Sequence, residues 1–533
     1  MRKQLLFLPG VLLLAYGLPA QAGPGLDTTS VKYANTITVD DISKHMHVLA
    51  SDEFEGRETG MEGQKKAARY IAQQFNRIGI PPYKDSTYFQ SFPLLLQKPS
   101  GSTVTVGGKT FEFLKDFYYF PGVEDQQWTV QDVLFLGYGI AEEDGYNDYK
   151  GHDVAGKVLM VINGEPLDKD SNSVVTGSPK KSIWTTNYRT KGRTALEKEA
   201  KAQFVVMEDV QKNIARFRHY IEQPSMKLDV VSEDEDPNRK RVPQIYISWD
   251  LANAILKQGG SKKDIQGYIS EISKKKKPVS FDARVGVGLD VKKVSEKLMS
   301  ENVLGYIEGS DKKDELVIVT AHYDHIGKDG DEIFNGADDD ASGTTALLEI
   351  AEAFERAKKE GHGPRRSILV MTVAGEEKGL LGSQWYSENP VYPLNQTVAD
   401  LNIDMIGRQD EKYKDNPDYI YLIGSDKLSS ELKKINEENN QKYTQLELDY
   451  TYDDPNDPNR YYYRSDHYNF AKNNIPIIFY FNGTHADYHK STDTVEKINF
   501  NKMEKITRLV FHTCWELANR NERIKLDPKK DSE

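Results

Sequence analysis

Two histidines and three consecutive aspartates crowd the stretch VTAHYDHIGKDGDEIFNGADDDASG, Val319 to Gly343, directly after an apolar run. Adjacent carboxylates repel one another, so a chain that gathers them predicts a positive charge in their midst. Further on, Glu376 and Glu377 follow SILVMTVAG, Asp404 follows LNI, and His489 lies in the loop after IPIIFYF. Imidazole nitrogens and carboxylate oxygens are zinc ligands, and two histidines with three carboxylates hold a pair of ions if one carboxylate is shared. Each ion then has a histidine, an unshared carboxylate, the shared one and an open position for water. Zinc lowers the pKa of bound water to roughly 7, and a carboxylate outside the ligand set can take its proton and pass it to a leaving amine. The adjacent pair Glu376 and Glu377 supplies a base and a ligand side by side.

Taken singly, each feature has a plainer reading. An aspartate run is more often a solvated turn or a calcium-binding loop, and His325 is as available as His322 three residues earlier. Glu376 and Glu377 at a helix start complement the helix dipole. Asp404 is harder to set aside, because a carboxylate at the end of an apolar strand is costly if buried and unpaired. The joint pattern, five ligand-type residues in order at or beyond the ends of strands, points to one site.

The elements that must position these groups follow from the pattern around them. From Asn302 onward strands alternate with helices: NVLGYIEG, ELVIVTAH, RSILVMTVAG, TVADLNIDMIG, PDYIYLIG and IPIIFYFNG read as strands. ASGTTALLEIAEAFERAKKEG reads as an amphipathic helix stopped by Gly361 and Pro364, EEKGLLGSQWYSEN as a helix, and FNKMEKITRLVFHTCWELANRNERI as the closing helix. Alternation with near-continuous apolar strands predicts an α/β fold, a mostly parallel sheet with helices on both faces. Ligands of such sheets bind at the carboxyl ends of the strands, where His322, Asp339, Glu376, Glu377, Asp404 and His489 all fall. Upstream, Ala67, Ala68, Tyr70, Ile71, Phe75 and Ile78 recur at helical spacing and Gly79 closes the helix. Between about Lys98 and Val285 the texture changes to short β-type runs separated by glycine and charged turns, which predicts a compact β-rich unit with a helix or two, inserted into the host domain. The polar segments Asp168 to Lys191 and Ser232 to Arg241 read as its surface loops.

The chain has 533 residues, long enough for two folded units, and a formal net charge of -12. That charge gives no electrostatic case for nucleic acid or an anionic membrane surface. The N-terminus runs from Arg2 and Lys3 through an apolar stretch to Ala20-Gln21-Ala22, the order of a secretory signal peptide cleaved after Ala22. Its apolar core is interrupted by Pro9 and Gly10 and falls short of the roughly 20 residues that span a bilayer, so no integral membrane anchor is expected. The sole cysteine, Cys514 in LVFHTCWELA, sits at helical spacing as a core residue, so no internal disulfide is expected.

The motifs AHYDH, GADDDASG, AGEEKGLLGS, NIDMIG, SDHYNF and DYHKSTDT, with LASDEFEGRETG upstream, resemble those of metallopeptidase family twenty-eight, the bacterial two-zinc aminopeptidases and glutamate carboxypeptidase relatives. The resemblance implies the zinc exopeptidase (phosphorylase/hydrolase-like) fold and two zinc ions. By that pattern His322 and Asp404 bind one zinc, Glu377 and His489 the other, and Asp339 bridges them; Glu376 is the general base. Asp324 resembles the carboxylate that orients the first histidine. Tyr488 matches a tyrosine that helps stabilise the tetrahedral oxyanion, and Tyr462 is a second candidate for that task. Asp466 and His467 are local structure or pocket wall.

The implied organisation is a signal peptide over 1–22, a catalytic domain over 23–97 plus 286–533, and a protease-associated-like insertion over 98–285. The expected activity is that of an exported exopeptidase acting on peptides, periplasmic or secreted, and an aminopeptidase in the first instance. A glutaminyl cyclase of the same fold does not need His322 as a ligand, and a non-catalytic receptor-like relative would have lost ligands. A carboxypeptidase would want arginines around the substrate carboxylate, and Arg408 and Arg464 lie near motif positions.

Overall fold

The computed structural model describes residues 25–83, 87–187, 189–230 and 241–528. The signal segment 1–22 and most of the polar loop around 232–241 lie outside these residues. The chain forms two compact units: Met1–Phe89, Asn302–Val373 and Tyr386–Glu533 make one, Gln90–Glu301 with Ala374–Trp385 the other.

The first unit is built on strands β1 (Lys293–Ile307, paired through Val303–Ile307), β2 (Lys312–His322), β3 (Arg366–Val373), β4 (Thr397–Ile403), β5 (Tyr419–Ile423), β6 (Glu447–Asp449) and β7 (Ile477–Phe481). Their order is β6-β5-β7-β4-β2-β3-β1. Strands β7, β4, β2 and β3 run parallel, while β5 is antiparallel to β7 and β1 to β3. The sheet is therefore mixed with a parallel centre, and β3 and β4 are buried at every position, as expected of strands covered on both faces.

Helices α1 (Thr28–Ala34), α2 (Val39–Leu49), α3 (Glu62–Ile78), α4 (Ser342–Lys359), α5 (Ser430–Asn439) and α6 (Phe500–Asn519) belong to this unit. Helices α4 and α6 pack on β2 and β3, and α2 and α3 pack on α4. Leu316, Ile318, Leu369 and Met371 point the other way and pack with Tyr386 and with Phe470 of the short helix His467–Ala471. Helix α3 ends at Gly79, whose φ of 96° makes the left-handed cap that the sequence predicts. Cys514 is fully buried in α6.

The second unit carries a six-stranded sheet in which Val133–Leu136, Val158–Ile162, Ala202–Val206 and Gln244–Ile247 run parallel, flanked by antiparallel Ser280–Ala283 and Phe117–Tyr118. A four-stranded antiparallel sheet accompanies it. The unit holds more helix than its strand-like texture suggests, including Thr190–Glu197, Val210–Glu222, Trp249–Gln258 and Ile265–Lys275. The reason is topological, since parallel neighbours need crossover connections and helices supply them.

One predicted helix is shorter than its sequence suggests. EEKGLLGSQWYSEN becomes a turn followed by a helix only from Leu381 to Glu388. Gly375 and Gly379 adopt φ of 78° and 106°, so Glu376 and Glu377 lie in the turn and not in a helical first turn.

Candidate metal centre

His322 is the last residue of β2, and Asp404 follows the last residue of the neighbouring parallel strand β4. Asp339 sits in the connection that leads into α4, and His489 in the loop beyond β7. The sheet therefore delivers all four to the same carboxyl-terminal edge. His322 Nε2 lies 3.2 Å from Asp339 Oδ1 and 3.6 Å from Asp404 Oδ1. The second oxygen of Asp339, Oδ2, lies 3.1 Å from His489 Nε2 and 3.8 Å from His325 Nδ1. One carboxylate thus faces a different imidazole with each oxygen, the arrangement a bridging ligand requires.

Each of these groups is aimed by a contact on its far side. His322 Nδ1 donates to the Asp324 carbonyl oxygen at 3.0 Å, which turns Nε2 toward Asp339 and Asp404. The Asp324 carboxylate, expected from the sequence as the orienting group, is farther from Nδ1 at 3.7 Å and accepts from Thr59 Oγ1 at 2.6 Å. Asp404 Oδ2 accepts from Ser465 Oγ at 2.7 Å, leaving Oδ1 toward His322. His489 has φ of 55°, an uncommon conformation for a side-chain-bearing residue, and stacks on Tyr488 with ring centroids 3.9 Å apart.

The three aspartates divide their tasks. Asp338 Oδ1 accepts from the Gly407 amide at 2.6 Å, and its Oδ2 lies 3.2 Å from both Asn482 Nδ2 and His485 Nε2. Asp340 Oδ1 accepts from the Gly343 and Met405 amides at 2.8 and 3.0 Å. The outer two latch this segment to the chain beyond β4 and β7, and the middle one is presented to the histidines. Gly336, at φ 54°, makes room for the run, since a Cβ there would meet the Asp339 carbonyl oxygen and the His325 ring.

The electrostatics are those of a cation site. Burial works to lower the pKa of His322, but the negative charge of Asp404 and of the neighbouring Asp324 and Asp339 carboxylates prevails and holds it well above its usual value. Burial works to raise Asp339, and the surrounding imidazoles His322, His325 and His489 overcome it, keeping the carboxylate well below its usual range. Burial and the charge of Asp404 push Asp340 up. His322 Nε2 is buried yet makes no hydrogen bond. Nitrogen and carboxylate donors of His322, Asp339 and Asp404 lie within 4.8 Å of one another, so the residues present fit a divalent cation.

Glu376 and Glu377 stand three and four residues beyond the end of β3, on the segment Ala374–Trp385 that clusters with the second unit. In the sheet Val373 is the register partner of His322. His467 is buried, its ring stacked on Phe479 and its Nε2 2.8 Å from the Tyr462 carbonyl, and burial lowers its pKa to about 3. It is therefore local structure, and Tyr462 is engaged as its partner. Arg408 Nη2 donates to Asp487 Oδ2 at 2.9 Å, and exposed Arg464 lies over the Tyr461 ring at 4.9 Å.

Sequence reasoning passes over Arg57. Its guanidinium is buried and donates to backbone carbonyls, those of Tyr323, Leu49, Asn335 and Gly336 at 2.6 to 2.9 Å. It ties the turn after His322 to the turn before Asp338, and burial lowers its pKa to about 10 against the pull of Asp339, Asp340, Asp324 and Asp493. The motif LASDEFEGRETG contains it, but nothing in the sequence says that the side chain turns inward.

Residues 302–514 match the profile of peptidase family M28. The chain is 31% identical over 238 residues to a probable leucine aminopeptidase of Trichophyton verrucosum (strain HKI 0517), covering 43% of this chain and 61% of that one. It is 40% identical over 105 residues to the probable glutamate carboxypeptidase LAMP1 of Arabidopsis thaliana, covering 20% and 14%. The chain thus spans about three-fifths of the first relative's length and a small part of the second's. Among solved structures, the aminopeptidase from Aneurinibacillus sp. strain AM-1 shares the fold, with a TM-score of 0.52 and 18% identity over 94% of this chain and 98% of that one. The match to peptidase family M28 covers residues 302–514, the stretch whose strand ends carry the ligand types of this centre.

Proposed function

We propose that the protein is a zinc-dependent exopeptidase, an aminopeptidase that removes N-terminal residues from peptides. The observation that carries this reading is the placement of Asp339, whose two oxygens face His322 and His489 separately. His322, Asp404 and Asp339 would hold one zinc ion, and Glu377, His489 and the second oxygen of Asp339 another. Glu377 enters because it follows β3, the strand beside His322, by four residues.

Zinc, when bound, supplies a water molecule acidic enough to be deprotonated near neutral pH. Glu376 takes that proton and returns it to the departing amine. Tyr488 donates a hydrogen bond to the carbonyl oxygen as it gains negative charge. Carboxypeptidase action is disfavoured by Arg408, which is largely buried and committed to Asp487 where a substrate carboxylate would need it. Aminoacyl nitroanilides with free and with blocked amines test the assignment, since an aminopeptidase cleaves only the free-amine set.

Export is part of the same reading and rests on the N-terminal order of charged, apolar and small residues. No described helix is long and apolar enough to cross a membrane. Sequencing the mature N-terminus tests export, with Gly23 expected as the first residue. The segment 98–285 is read as a protease-associated-like domain on the texture of its strands.

A further inference from the structure

The connection that carries Asp339 and the loop that carries His489 are joined through a side chain to which the catalytic scheme gives no part. Asp493, four residues beyond His489, is fully buried. Its Oδ2 accepts from the amide of Asp338 at 3.0 Å and from that of Asp339 at 3.2 Å. Its main-chain carbonyl accepts from the amide of Ala337 at 3.2 Å. Three consecutive amides leading to the bridging carboxylate thus end on one residue. Its other oxygen, Oδ1, lies 3.7 Å from Arg408 Nη1, while Arg408 Nη2 holds Asp487 at 2.9 Å. Asp487 also accepts from Thr492 Oγ1 at 2.6 Å and Lys497 Nζ at 2.7 Å. Asp487 and Asp493 bracket Tyr488 and His489, so Arg408 grips the histidine loop on both sides while Asp493 passes that grip to the aspartate run.

We propose that Asp493 is a positioning residue of the metal centre, fixing the separation between Asp339 Oδ2 and His489 Nε2 by clamping the Ala337–Asp339 amides. It acts through the backbone of Asp339 and touches neither metal nor substrate. The proposal rests on the two-metal reading above. Groups that aim metal ligands in this way are worth about 10–100-fold in metal affinity or activity. The clamp needs one acceptor oxygen and no negative charge, because a single oxygen receives both side-chain bonds. An asparagine carbonyl meets that need and an alanine does not.

The test measures zinc affinity of the full chain by competition with a chromophoric chelator, with peptidase kinetics and melting temperature on the same samples. Asp493→Ala is expected to weaken zinc binding by about 10–100-fold and to lower kcat more than it changes KM. Asp493→Asn is expected to stay within about threefold of the unmutated chain in zinc affinity. Wild-type zinc affinity in Asp493→Ala, even with a lowered melting temperature, would overturn the proposal, because a merely structural residue behaves so. If Asp493→Ala does not fold, a folded Asp493→Asn with affinity reduced tenfold or more overturns it equally. Failure of the unmutated chain to bind zinc would instead overturn the two-metal reading on which the clamp depends.

Discussion

His322 Nε2 and Asp339 Oδ1 stand 3.2 Å apart, both buried, with the nitrogen making no hydrogen bond. Its other nitrogen is already committed to the Asp324 carbonyl. Two groups held in that relation by the ends of a buried sheet are set for a cation between them. Removing Asp339 therefore has a larger effect than removing either histidine. Asp339→Ala is expected to lose both zinc ions and to cut kcat/KM by on the order of 10³-fold or more, a barrier rise of about 4 kcal/mol. His322→Ala is expected to lose one ion. Zinc per chain after dialysis checks both.

Glu376 has a different expected signature. Glu376→Gln keeps the shape of the turn and leaves the ligand set intact, so bound zinc stays at the unmutated level. Turnover falls by roughly 10²–10⁴-fold, the range for loss of a general acid-base group. Normal hydrolysis by this variant would remove Glu376 from the role.

Gly336 carries a prediction about packing. At φ 54° the backbone conformation disfavours any side chain, and a methyl group there would meet the Asp339 carbonyl oxygen and the His325 ring. Gly336→Ala is expected to destabilise the fold by about 1–3 kcal/mol and to weaken metal binding together with it. Urea unfolding of the metal-free chain and zinc titration separate the two effects.

A pH effect arises away from the centre. Glu349 of α4 lies 3.6 Å from His45 of α2, and both are nearly buried. Burial pushes Glu349 up to about 8 and His45 down to about 4, so between these values both are neutral. Because the folded-state pKa of Glu349 lies above its unfolded value, its stabilising contribution is full below pH 4.5 and is lost as pH rises through 8. Between pH 4 and 6.5 the deprotonation of His45 in the unfolded chain acts in the opposite sense, so the clean window for Glu349 is pH 6.5 to 8. Glu349→Gln removes the titration, and its stability relative to the unmutated chain should improve by about 2 kcal/mol from pH 6.5 to pH 8. Denaturant midpoints at the two pH values measure the difference.

The strand ends are legible in the sequence because a histidine or carboxylate that closes an apolar run marks the place where a buried strand meets a polar edge. Helix α3 and its Gly79 cap are legible for a similarly local reason, as is the burial of Cys514. The supporting contacts are not. Arg57 and Ser465 lie far in sequence from the groups they hold, as Asp493 does from the Asp338 and Asp339 amides, and a sequence shows neither which way a side chain turns nor which backbone groups it meets. The outer aspartates of the run illustrate this: by type they equal Asp339, and only the amides of Gly407, Gly343 and Met405 assign them to latching. The turn holding Glu376 and Glu377 reads as helix because the apolar spacing after it masks the effect of its glycines.

The most direct test of the central claim is hydrolysis of a panel of aminoacyl nitroanilides, with free and with blocked amines, on a sample whose zinc content is measured. Turnover of the free-amine substrates alone is expected, with about two zinc ions per chain and loss of activity on chelation. Equal cleavage of blocked substrates, or turnover that survives removal of the metal, would contradict it.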